Sequence, residues 1–103
     1  MNNEIIENME LCSLAVSGLK TNDIVSHVKA KKSLLKLKEK ISIYQDESVE
    51  HLIDAILRYN DGMFFLDEEE AVNALKNIAR VYKELCIALK EKIKQDKEGA
   101  ECV

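Results

Sequence analysis

The stretch DEEEAVNALKNIARVYKELCIALKEKIK, residues 67–94, decides the fold. Ala71, Leu75, Ile78, Tyr82, Leu85, Leu89 and Ile93 recur at spacings of three and four, the seam of one helix. Ala74, Val81 and Ala88 widen the seam on one side, and Val72, Ala79 and Cys86 widen it on the other. The apolar arc covers about half of the cylinder, more than one partner helix fills. Asp67 stands as N-cap with Glu70 three residues on, a capping-box spacing with Asp in the Ser/Thr place. The acidic run 67–70 also suits the positive end of the helix dipole, and Lys90, Lys92 and Lys94 suit the negative end. The reading is a helix over 68–94, about 40 Å long at 1.5 Å per residue.

Three shorter periodic segments precede it. Over 3–17, Ile5, Met9, Cys12 and Val16 form one stripe that Leu19 continues, while Leu11 and Leu14 point away from it. Thr21-Asn22-Asp23 offers cap oxygens for a second helix over 23–44. There Ala30, Leu34, Leu37, Ile41 and Tyr44 form one apolar stripe, and Ile24, Val28 and Leu35 form another. Lys31 and Lys38 lie between the two stripes, and Lys29, Lys32, Lys36 and Lys40 line the opposite face. Caps at 45–48 open a third helix over 48–59, with Val49, Leu52, Ile53, Ile56 and Leu57 inward. Asn60-Asp61-Gly62 is expected to stop it, since these residues tolerate the left-handed conformation.

The chain has 103 residues with only three glycines and no proline. Gly18, Gly62 and Gly99 fall where apolar repeats stop, so they are expected at helix ends. These signals predict an all-α, antiparallel four-helix bundle whose longer helices span 23–44 and 68–94. One domain over 1–95 is expected to be followed by a frayed, flexible tail over 96–103.

Composition narrows the functional classes. The net charge of −4 argues against general affinity for phosphate backbones. Charge is unevenly placed, however: segment 20–40 holds seven lysines against Asp23 and Glu39, a balance of +5 that leaves −9 elsewhere. The opening Met1-Asn2-Asn3-Glu4 lacks a basic targeting region, and the apolar run near 11–19 is too short to span a bilayer. Three cysteines, with Cys12 and Cys86 on apolar seams and Cys102 in the polar tail, fit a reduced, cytoplasmic protein with buried seam thiols.

No catalytic, metal or cofactor residue is assigned. His27 and His51 are the only histidines, and neither stands at a zinc or di-iron spacing. His27 reads as a surface residue, and the carboxylates at 68–70 as helix caps. The lysine face of Lys29, Lys32, Lys36 and Lys40 is a candidate basic surface, but only Arg58 and Arg80 supply the arginines that nucleic-acid binders favour. Leu11, Leu14, Ile24, Val28 and Leu35 are surplus apolar residues and form the candidate dimer or partner surface. The sequence reading is a small, non-enzymatic, regulatory interaction protein that pairs with itself or another protein through helix surfaces and not with a membrane. Lys31 and Lys38 would then meet acidic groups such as Glu84 or Glu91 of a partner. A nucleic-acid-associated regulator using the lysine face is the alternative reading, and a metal- or ligand-binding bundle the second alternative.

Overall fold

A computed structural model describes the backbone of residues 2–101 and the side chains of residues 3–95. The expectations about Cys102 and about a solvated tail therefore fall outside the described side chains. The chain forms four helices: α1 (Asn2–Ser17), α2 (Ile24–Ile41), α3 (Glu47–Gly62) and α4 (Glu68–Glu101). Single 3₁₀ turns at Ser42–Tyr44 and Met63–Phe65 extend α2 and α3 into their corners.

The helices start where short acidic side chains accept orphan amide protons. The Ser26 N–H donates to Asp23 at 3.4 Å, the Ser48 N–H to Asp46 at 3.0 Å and the Glu70 N–H to Asp67 at 2.8 Å. The Asp67 carboxyl beside Glu70 also raises the pKa of Glu70. Proximity of the two carboxyl groups replaces the second arm expected of a capping box.

Gly18 directly follows α1 and Gly62 closes α3, as the sequence predicts, but not through the left-handed conformation. No described glycine has positive φ; the left-handed positions are Asn22 and Gln45. Asn22 is a residue that tolerates this region. At Gln45, the backbone N–H donates a hydrogen bond to the Ser42 carbonyl and closes the turn. α1 stops because Gly18 and Leu19 turn back onto Leu14 and Val16, burying Leu19. Asn60 and Asp61 lie inside α3, which ends at Gly62 without a left-handed residue. Gly62 is helical, with φ −78°, and the chain runs on to bury Met63. α4 likewise passes the expected end at 94 and remains helical through Gly99 to Glu101.

Consecutive helices pack as antiparallel neighbours, and α1 closes the ring against α4. Lys40 at the end of α2 pairs with Glu4 at the start of α1, and Lys92 late in α4 pairs with Asp46 before α3. The Lys92 ammonium and Ser48 hold the Asp46 carboxyl well below the usual carboxylate range. Asp46 therefore favours folding above the ordinary carboxylate pKa, and that contribution is lost on acidification. α4, at 34 residues, is about 51 Å long at 1.5 Å per residue. It sets the longest dimension of the molecule, 53 Å.

The core is the set of inward stripes, with Ile5, Cys12, Leu34, Leu37, Ile53, Ile56, Ile78, Leu85 and Leu89 almost wholly buried. Of the two flanks of α4, Ala74 and Val81 face inward, whereas Val72 and Ala79 are exposed. Leu85→Ala is expected to cost about 2–5 kcal/mol in chemical denaturation. Leu75→Ala should cost clearly less, because Leu75 is only half-buried. A Cβ added at Gly62 meets nothing within 4 Å, and its φ is helical. Gly62→Ala should therefore stabilise the protein by about 0.5–1 kcal/mol.

Candidate interaction surface

One end of the bundle is organised around a buried histidine. His27 and Asn60 are both almost fully buried, on facing positions of α2 and α3. The Asn60 side-chain amide donates to the His27 carbonyl at 3.0 Å, which turns its oxygen toward the imidazole. His27 Nδ1 lies 2.6 Å from that oxygen, and Nε2 lies 3.0 Å from the Lys20 carbonyl. Both ring nitrogens thus face carbonyl oxygens, and the tautomer decides which of the two receives the ring N–H. The Phe64 ring packs on the imidazole at 4.7 Å between centroids, tilted by 58°. This node joins the α1–α2 corner, α2, α3 and the corner before α4. It corrects the surface placement of His27.

The thiols lie elsewhere. Cys12 is fully buried, and Cys86 is only partly shielded. Burial, with Cys86 beside it, pushes the Cys12 thiol up to about 12. Tyr82 donates from its hydroxyl to the Met9 carbonyl and is also raised, first by burial and then by Cys86. The hydrogen bonds of His27 go to Asn60 and Lys20, so no described bond couples it to a thiol. Among the described residues, no group of three His, Cys, Asp or Glu side chains can hold a metal ion. No helix among them is long and apolar enough to cross a membrane.

The lysines divide into two groups. Lys31 pairs with Asp61 at 3.4 Å and Lys38 with Asp54 at 2.7 Å, both on α3 of the same chain. The bond to Asp54 raises the pKa of Lys38. These pairings replace the expected contacts with a partner's carboxylates. Lys40 is drawn to Glu4. Lys29, Lys32 and Lys36 form no ion pair among the described residues, so the positive charge of α2 is left on the flank that faces α1.

That flank carries an open groove between α1 and α2, of about 580 Å³, walled by Leu11, Leu14, Ala15 and Val25 and edged by Lys29 and Lys32. Leu14 is 73% exposed, and Leu11 and Val25 more than half. Ile24, Val28 and Leu35 are exposed too. They share a stripe on the outer face of α2, turned away from the groove by the 100° per residue of a helix. The five surplus apolar residues therefore form two neighbouring surfaces. A further exposed apolar cluster, which periodicity does not reveal, is Phe64-Phe65-Leu66 in the corner before α4, where Phe65 is 90% exposed. Its signal in the sequence is two aromatic residues placed in a joint between helices.

Comparison with known proteins finds no matching family model, no matching curated sequence and no matching solved structure.

In the folded protein Cys12 should resist thiol reagents, and Cys86 should be modified measurably faster. Equal rates, followed by mass spectrometry of each cysteine peptide, would contradict the packing of α1 on α4. Asn60→Leu should cost about 1–3 kcal/mol in denaturant titration, because it leaves Nδ1 of the buried His27 ring facing an apolar side chain in place of its partner.

Proposed function

We propose that this chain is a small regulatory interaction protein of the cytoplasm, without enzymatic activity, that self-associates through the outer surfaces of α1 and α2. The observation that carries the reading is the exposed apolar groove of Leu11, Leu14 and Val25 beside Lys29 and Lys32, which form no ion pair among the described residues. Solvated helix faces do not ordinarily present several large aliphatic side chains together. C2 homodimers are the commonest assembly that covers such a surface. A specific dimer buries roughly 800 Å² per partner, within reach of two adjacent helices.

Nucleic acid is the competing partner for Lys29, Lys32 and Lys36. Phosphate contacts would use the ammonium groups, yet they leave the aliphatic groove walls in water. An apolar partner with acidic flanks uses both.

Sedimentation equilibrium should give about twice the 11.7 kDa chain mass at micromolar concentration. A strictly monomeric protein over that range would refute self-association. If nucleic acid binds through about four phosphates, log affinity should fall against log salt with a slope of roughly −3 to −4. Absence of binding to duplex and single-stranded probes at low salt removes that alternative.

A further inference from the structure

The groove between α1 and α2 has a chemical counterpart on the same molecule. The corner Phe64-Phe65-Leu66 is exposed and apolar, and it is followed at once by the exposed acidic turn Asp67-Glu68-Glu69-Glu70. The groove presents the complementary arrangement, aliphatic walls edged by Lys20, Lys29 and Lys32 against a single carboxylate, Asp23, which caps α2. Phe64 leans on His27 and so ties the corner to the bundle, while Phe65 projects into solvent. His27 also bonds the Lys20 carbonyl at the start of the α1–α2 corner. Corner and groove therefore belong to the same end of the bundle, a placement that lets one two-fold axis bring each corner to the other copy's groove.

We infer that the occupant of the α1–α2 groove is the 64–70 corner of a second copy of this chain. Phe65 of one copy enters between Leu11, Leu14 and Val25 of the other, and Glu68 and Glu69 meet Lys29 and Lys32. The contact occurs twice in a C2 dimer, once in each direction. Buried aromatic side chains contribute about 150–250 Å² each, so the reciprocal pair with its groove walls accounts for much of the area a specific dimer needs. The groove between α1 and α4 carries no such complement, because Glu10 and Lys90 balance on its walls, whereas Lys20, Lys29 and Lys32 outnumber Asp23 around the α1–α2 groove.

This inference rests on the self-association proposed above, and one set of sedimentation measurements separates the two. Phe65→Asp and Leu14→Asp should each weaken the wild-type dimer at least tenfold while the helical circular dichroism is kept, since both side chains are mostly exposed within one chain. Ile87→Asp, on an exposed site of α4 away from corner and groove, should leave the dimer intact. Lys29→Glu with Lys32→Glu should weaken the dimer, and adding Glu68→Lys with Glu69→Lys should restore it. A wild-type dimer that ignores Phe65→Asp and Leu14→Asp, or a charge reversal that is not rescued, overturns the corner-in-groove contact and leaves self-association through another face. A monomeric wild type overturns both.

Discussion

The end of the molecule where every candidate surface meets depends on the hydrogen bonds between His27 and Asn60. A buried imidazole and a buried amide are each costly to leave unbonded. Here the Asn60 amide donates to the His27 carbonyl, and the two ring nitrogens lie against the Asn60 and Lys20 oxygens, one of which receives the ring N–H. This fixes the register of α2 against α3 more tightly than aliphatic packing does, since an aliphatic seam tolerates small slides and a pair of directed bonds does not. The Phe64 ring rests on the same imidazole, so the corner before α4 takes its position from the node as well. Loss of Asn60 would thus be felt beyond α3, in the placement of Phe65 and of the α1–α2 corner.

Charge is arranged around that frame unequally. The α3 flank of α2 is neutralised by Asp54 and Asp61, and the end of α2 by Glu4. Lys29, Lys32 and Lys36 form no ion pair among the described residues, and Lys29 and Lys32 edge the groove beside α1. Exposed ion pairs add little stability, typically below about 1 kcal/mol. Their effect here is on the surface potential. They remove positive charge from one side of the helix and leave it on the other, beside the groove.

Much of this architecture is legible in the sequence, and the misses have identifiable causes. The α4 seam and the caps Asp23, Asp46 and Asp67 are visible because periodicity and capping are local. Asn60 reads as part of a stop signal, yet Val49, Ile53, Ile56, Asn60 and Met63 continue one stripe at spacings of four and three. His27 likewise precedes Ala30, Leu34, Leu37 and Ile41 by one step of the same stripe. Polar side chains on a core stripe escape notice until a facing partner is known, and that partner is 33 residues away. The partners of Lys31 and Lys38 were hidden for the same reason, because they depend on which helix lies beside α2. Gly18 and Gly62 mark the ends of α1 and α3, but Gly62 stays helical because a Gly in a helix costs only about 1 kcal/mol, less than burying Met63 returns.

The division of charge also bears on how two copies can meet. Laying groove on groove would bring Lys29, Lys32 and Lys36 of both copies together, and like charges are screened only beyond about 8 Å at physiological salt. Corner against corner would face two acidic turns. Each of these self-pairings buries apolar surface at an electrostatic cost, whereas corner against groove buries apolar surface and pairs opposite charges. Placing opposite charge at the two apolar surfaces of one end thus selects a crossed arrangement over a face-to-face one. The same sorting excludes an open chain of molecules only if both contacts close on a single two-fold axis. The node at His27, by holding corner and groove at fixed separation, is what would make that closure geometrically repeatable.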